Sequence, residues 1–466
     1  MVSLTLVRRD AINTVTCPHG RAVGVWSLMS LSLEQVVKIA PDDASVAAGK
    51  KLMGPANWQG LGHNTETLWG LCRGSATYQV KVDLGNLGYH CSCPSRKFPC
   101  KHVLGLLMLF AASPNAVSKG EAPDWLSDWL QRRRSREEKK AARETETAGP
   151  KKPADEGSQQ RRAQARESRV SEGLVRFDVW LKDIARNGLA SIENKPRSFW
   201  EDQAKRLVDA QAPGLASRVA RWATIPRSSP DWPLRLVAEI GRAKLLLCAW
   251  QGINSLDPSL RSEVRQCLGW TISQADLEEQ GEHVDDTWVV VGQWIDDEDR
   301  LRVQRSWLVG RHTNRTALVL QFSAGGQPFD ESIVPGSEQR ATLLFYPGTA
   351  LQRAKYFKRE GTVAAVTSRP PGAATIDAFL ASVAEQLARQ PWLTAFGAVL
   401  HDVKICPRNE AWLVVDRENR GIPLSGRDHW KLLALAGGHV FDLAGEWDGH
   451  ALRPLGMYVD DGFRVL

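Results

Sequence analysis

The sequence predicts an α+β chain of several domains: a small N-terminal module with a strand pair and a helix (ββα), then a helical region, then a C-terminal mixed α+β domain. Three observations carry this reading. At 466 residues the chain exceeds what one hydrophobic core usually holds. The segment 131–169, QRRRSREEKKAARETETAGPKKPADEGSQQRRAQARESR, contains no Val, Ile, Leu, Met, Phe, Trp or Tyr, so it has nothing to bury in a core. Near Thr287 the apolar spacing changes from helical to strand-like.

In the N-terminal quarter, Tyr78, Val80, Val82 and Leu84 alternate with Gln79, Lys81 and Asp83, the period of a half-buried strand. Leu68 to Cys72 reads as its hairpin partner, with the turn at Arg73 to Ser75. HVLGLLMLF, from His102 to Phe110, reads as a helix that turns Val103, Leu106, Leu107 and Phe110 toward a core. Residues 119–170 read as a charged helix running on from near Asp124 and then a mobile linker. Leu174, Phe177, Leu181 and Ile184 mark a helix that stops at Asn187 and Gly188, and another is entered through Pro196, with helices continuing to about residue 275. TWVVVGQW, VQRSWLVG and ALVLQF read as three strands, the first two joined by the Asp-rich turn IDDEDR. A helix over Ile376 to Leu387, the strand AWLVVD, the helix DHWKLLALAGG and a closing set of short strands complete the chain. The domain boundaries that follow are 1–118, with the finger-like module at about 68–112, then 119–170, 171–275 and 276–466.

The eight cysteines include only three close together, which suits a reduced, cytoplasmic protein better than a disulfide scaffold. The start, MVSLTLVRRD, lacks the layout of a secretion signal, and the apolar run from Val103 to Ala112 is too short to span a bilayer. The net charge of +7 is concentrated, since segment 131–169 holds 13 Lys and Arg against 7 Asp and Glu. The remainder is close to neutral, so the basic balance does not imply a basic face on the folded domains. The 18 Trp are scattered along the chain and read as core.

Cys91, Cys93, Cys100 and His102 lie within twelve positions, in CSCPSRKFPCKH. Three thiolates and one imidazole can close a tetrahedral shell around zinc, and four protein ligands leave no open position for a reacting water. On a strand, Cys91 and Cys93 would point to one face, while Cys100 and His102 open the following helix. A zinc dication with three thiolates carries one net negative charge, so Arg96, Lys97 and Lys101 are expected either to balance it from beside the sulfurs or to contact phosphate. Phe98 is expected to cover the metal.

These residues resemble the SWIM zinc finger, whose pattern is C-x-C, a variable gap, then C-x-H after a strand pair and before a helix. GLCRGSATYQVKVDL followed by CSCPSRKFPCKHVLGLLML is similar to bacterial SWIM zinc finger family proteins of comparable length. The likeness continues through FWEDQAKRLVDAQAPGLASRV and FDLAGEWDGHALRPL. The resemblance implies one structural zinc ion and a role in binding DNA or proteins, with MoxR-type AAA ATPases and von Willebrand A-type proteins as expected partners. The sequence is thus read as a non-enzymatic, zinc-binding recognition or adaptor protein. A DNA- or RNA-binding protein using the finger and the basic segment is the alternative, and an enzyme in the C-terminal domain the third reading.

Other groupings carry less. Cys17 and His19, with His63 and Cys72, form a second candidate zinc set. Asp285, Asp286, Asp296, Asp297, Glu298 and Asp299 suit turns better than a calcium loop. Asp442, Glu446, Asp448 and His450 form a candidate hydrolytic cluster better explained by turn chemistry. Arg353, Lys355, Lys358 and Arg359, interleaved with Tyr356 and Phe357, fit single-stranded nucleic acid less well than an ordinary solvated face. The phosphate-loop, nucleophile-elbow, H-E-x-x-H and dinucleotide fingerprints are absent from the sequence.

Overall fold

The apolar alternation in the N-terminal quarter builds a sheet rather than an isolated hairpin. The computed structural model describes residues 31–74, 76–95, 97–133, 135, 156–298, 301–324, 327, 329–408, 411–459 and 462–466. Helices α1 (Leu33–Lys38) and α2 (Asp43–Lys50) precede strands β1 (Trp58–His63), β2 (Thr67–Arg73), β3 (Thr77–Asp83) and β4 (Gly88–Cys91). Helix α3 (Lys101–Ala112) and the short strand β5 (Ser118–Lys119) follow, giving the sheet order β4-β3-β2-β1-β5. The expected hairpin is β2–β3, with Leu68 opposite Val82 and Cys72 opposite Tyr78.

Helix α3 buries every residue from His102 to Phe110, not one stripe, because α1 and α2 cover the side that the sheet does not. The helices meet closely at two glycines. A Cβ at Gly105 would stand 2.7 Å from the Leu52 Cβ, and one at Gly49 2.9 Å from the Leu104 Cβ.

A further helical segment, α4, covers 124–133. The next helix, α5 (Glu156–Asn187), starts well before the boundary that composition suggests, so residues 156–170 are helix and not linker. Polar contacts anchor this apolar-poor stretch: the Arg166 guanidinium lies 4.0 Å from the Trp270 ring centroid, and Glu167 pairs with Arg265 at 2.6 Å. The helix ends where expected, with Gly188 at φ 74°. Helices α6 (Arg197–Asp209), α7 (Pro213–Arg221), α8 (Trp232–Gln251) and α9 (Pro258–Leu268) complete a bundle around Phe177, Trp200 and Trp222, and α10 (Gln274–Gln280) leads out of it. Trp200 and Trp222 meet edge to face at 6.2 Å, a favoured geometry for aromatic pairs.

The C-terminal α+β region holds two sheets. Strands β6 (Glu282–Glu298), β7 (Leu301–Gly310), β8 (Thr316–Ala324), β9 (Ser337–Phe345) and β10 (Arg353–Ala365) form a closed barrel. After α11 (Ile376–Arg389) come β11 (Phe396–Arg408), β12 (Ala411–Val415), β13 (Gly421–Pro423), α12 (Trp430–Ala436), β14 (Phe441–Trp447), β15 (Leu452–Val459) and β16 (Gly462–Val465). These six strands form a sheet ordered β13-β12-β11-β14-β15-β16.

The units share cores. Val334 and Val363 of the barrel region pack into the N-terminal core, and Gln339 Nε2 donates to the Gly85 carbonyl at 2.6 Å. Trp392 packs into the bundle core, and its Nε1 donates to the Arg242 carbonyl at 3.0 Å. Barrel and sheet are joined at Glu446, which accepts from Trp307 Nε1 at 2.6 Å and Arg305 Nε at 3.0 Å. Removing that carboxylate leaves a buried indole N–H and a largely buried guanidinium without their acceptor. Glu446→Ala should therefore destabilise the C-terminal region by about 3 kcal/mol or more in denaturant unfolding. Glu446→Gln, which keeps an acceptor for the indole, should cost less.

Candidate metal centre

The two ligand pairs are held by different devices. Cys91 is the last residue of β4 and lies opposite Val80 of β3. Pairing continues one step through Ser92, whose N–H donates to the Gln79 carbonyl at 3.0 Å and whose Oγ accepts from the Gln79 N–H at 2.9 Å. Cys93 therefore follows in a bend fixed by Ser92, and does not extend the strand as its spacing suggests. Cys100 is the N-cap of α3, in extended conformation at φ −77° and ψ 167°, and His102 sits in the first helical turn.

The four ligand atoms all lie within 4.8 Å of one another. His102 Nδ1 is 3.7 Å from Cys91 Sγ and 4.0 Å from Cys100 Sγ. Ligands bound tetrahedrally to zinc at 2.0–2.3 Å stand about 3.6 Å apart, so this donor set fits one structural zinc ion. Bound there, zinc supplies a cross-link between strand end and helix start. Tyr78 stacks on the His102 ring at 4.8 Å between centroids, holding its orientation. The sequence pattern marks Tyr78 only as a strand residue and not as a site residue, although it lies on the same strand face as Val80, which is opposite Cys91.

The thiols cannot all ionise together without a cation. The S–H of Cys91, donating to Cys100, holds the Cys100 thiol well below its usual range despite burial, with His102 adding to the effect. The same bond, followed by burial, pushes Cys91 up, and burial is the leading cause of the upward shift of Cys93. Metal binding must therefore displace protons.

The basic loop divides. Lys97 pairs with Asp42 at 2.8 Å, and Asp42 also caps α2 by accepting from the Ser45 N–H at 2.7 Å. The Lys97 partner, then the Ser45 bond, bring the Asp42 carboxyl down to about 2. Lys101 is exposed and, with Lys97, Tyr78, His102 and Cys93, lines a cleft of about 420 Å³ beside the ligands. Arg96 lies outside the described residues. Phe98, 43% exposed, has its ring contact with Tyr89 at 5.1 Å.

The other candidates do not converge. Cys17 and His19 lie outside the described residues, while His63 and Cys72 sit at opposite ends of the β1–β2 ladder, opposite Leu68 and Trp58. Asp286 accepts from the His312 and Thr313 N–H groups, and Asp285 pairs with Arg340 at 2.8 Å. Asp442 takes a two-pronged pair from Arg369, Glu446 serves Trp307 and Arg305, and Asp448 caps the turn through the His450 and Ala451 N–H groups. The basic–aromatic stretch lies in β10, where Arg353 stacks on Tyr346, Arg359 on Tyr356, and Lys358 pairs with Glu360.

Two outcomes follow. Cys100→Ser should lose the bound zinc, from one ion per chain to none by elemental analysis, and should unfold residues near 68–112 while leaving the bundle helical by circular dichroism. Because Cys91 and Cys93 give up protons on binding, zinc affinity should rise with pH. Competition with a chromophoric chelator should show about tenfold per pH unit for each proton displaced.

Comparison with known families agrees with this geometry. A SWIM zinc finger model matches residues 78–109, and a model of the SWIM-associated four-helix bundle domain matches residues 165–268. No curated protein and no solved structure gives a match. The finger match contains all four ligands and α3 through Leu109, and the bundle match runs from within α5 to the end of α9. The chain thus carries a SWIM zinc finger at residues 78–109, followed by a SWIM-associated four-helix bundle at residues 165–268.

Proposed function

We propose that the protein is a non-enzymatic, zinc-stabilised adaptor of the cytoplasm, whose finger module and bundle present surfaces to protein partners. One observation carries the choice of protein over nucleic acid. On α8, Leu234, Val237, Gly241, Leu245 and Cys248 form a continuous exposed stripe at helical spacing, with Leu234 74% exposed. Val175 and Val179 stand exposed one turn apart on the neighbouring α5. A stripe carrying three large apolar side chains, Leu234, Val237 and Leu245, on a folded surface is an interaction feature, and its spacing suits an apolar helix face from a partner. Trp430 on α12, 63% exposed, offers a second apolar point. The SWIM resemblance supplies the partner class: a MoxR-type AAA ATPase or a von Willebrand A-type protein. Four protein ligands around zinc favour a structural over a hydrolytic metal. Among the described residues no helix is long and apolar enough to cross a membrane.

Nucleic-acid binding is favoured by one feature, the exposed Lys101 beside the cleft at the finger. Against it, Lys97 is already paired with Asp42. The two readings separate in one set of experiments. Purified MoxR-type and von Willebrand A-type proteins should bind the full chain in biolayer interferometry, with affinity reduced about tenfold or more by Leu234→Glu with Leu245→Glu. Labelled DNA and RNA should show no finger-dependent anisotropy change at moderate salt. Binding to DNA or RNA that needs Lys101 and weakens linearly in log salt would replace the adaptor reading.

A further inference from the structure

Helices α7 and α8 place four arginines around one cleft where the bundle meets the C-terminal sheet. Arg218 and Arg221 are three apart on α7, and Arg235 and Arg242 are seven apart on α8, so each pair shares a helix face. All four line a cleft of about 220 Å³, closed on the far side by Thr394, Asp448 and His450. Its carboxylates are already engaged. Glu239 accepts from Arg242 Nη1 at 2.5 Å and from Trp222 Nε1 at 3.2 Å, and Asp448 is held by the turn N–H groups. Asp231, at the start of α8, interacts electrostatically with Arg235 and His450 from outside the cleft lining.

The informative residue is Arg218. Its Nη2 donates to the Trp392 carbonyl at 2.6 Å, but its Nη1 is sealed from solvent with no hydrogen-bond partner. A buried guanidinium donor without an acceptor is costly, so an acceptor oxygen placed against it would stabilise the site. Burial lowers the affinity of Arg218 for its proton, and the neighbouring Arg221 and Arg242 charges push the same way, partly offset by Cys267 and Glu239. Four guanidiniums against two lining carboxylates leave two formal positive charges in excess.

We propose that this cleft binds the phosphate group of a small phosphomonoester or inorganic phosphate. Arg218 supplies the buried donor, and Arg235 closes over the anion from α8. A phosphate dianion neutralises the excess charge and offers the tetrahedral array of acceptors that forked guanidiniums match. The volume equals about seven waters at about 30 Å³ each, enough for a phosphate and a few attached atoms. The site is independent of the finger and of the adaptor reading. It would let a phosphorylated metabolite brace the junction between the bundle and the C-terminal sheet, because Arg218 Nη2 donates to the Trp392 carbonyl and Trp392 Nε1 donates to the Arg242 backbone carbonyl across it.

The test is calorimetric titration of the full, zinc-loaded chain with inorganic phosphate and with glycerol phosphate, using sodium acetate as the control anion. One binding site for phosphate is expected, tightening as pH rises through the second phosphate ionisation, with the melting temperature raised by the ligand. Tighter binding of glycerol phosphate would assign the source as a phosphomonoester, and equal or weaker binding would assign it as free phosphate. Arg218→Gln should weaken binding about tenfold or more while retaining the helical signal. If that variant does not fold, Arg235→Gln, at the half-exposed wall, should weaken binding in a folded chain. Absence of binding at millimolar phosphate, equal heat from acetate, or unchanged affinity in the folded variants would overturn the proposal.

Discussion

The end of β4 and the beginning of α3 must be held together although the groups that meet there repel one another when ionised. Three thiols and an imidazole lie within 4.8 Å, and the neighbours that hold the Cys100 thiol low, Cys91 first, are themselves pushed up by hydrogen bonding and burial. A zinc ion turns that conflict into four bonds. What it fixes is the start of α3, a helix buried for nine consecutive residues between α1, α2 and the sheet. Because Val334 and Val363 of the barrel region belong to the same core, the position of α3 also sets how the N-terminal module seats on the barrel.

The loop between the ligand pairs is fastened at its own middle. Lys97 reaches the capped start of α2 through Asp42, so α2, the loop and α3 form a closed circuit. This gives Lys97 a partner within the module and engages one of the cations that a phosphate-contact reading would use. Surfaces suited to recognition lie instead on the bundle: an apolar stripe along α8, and an arginine-lined cleft where the bundle meets the C-terminal sheet.

Local chemistry was legible in the sequence. The ligand set was visible because tetrahedral zinc demands paired donors at short spacing, and the β2–β3 hairpin and the α5 stop at Gly188 were visible because alternation and a positive φ leave residue-level marks. Non-local pairing was not. Barrel closure rests on β10 returning to β8 with Arg353 opposite Leu318 and Ala354 opposite Val319, and no periodicity encodes it. The helix over 156–170 was concealed because its anchors, Trp270 and Arg265, lie about a hundred residues away, and polar composition alone reads as linker. The Lys97–Asp42 pair was hidden for the same reason. The hydrolytic appearance of Asp442, Glu446, Asp448 and His450 dissolved once each acid was seen with its partner.

The central claim is that zinc supports the N-terminal module by pinning α3. Hydrogen-exchange mass spectrometry of the full chain, with zinc and after chelation, tests it most directly. The account predicts that chelation exposes amides of β2 to α3, residues 67–112, with smaller increases at the Val334 and Val363 contacts, and leaves the bundle at 165–268 protected. Unchanged protection of α3 after complete zinc removal would contradict it.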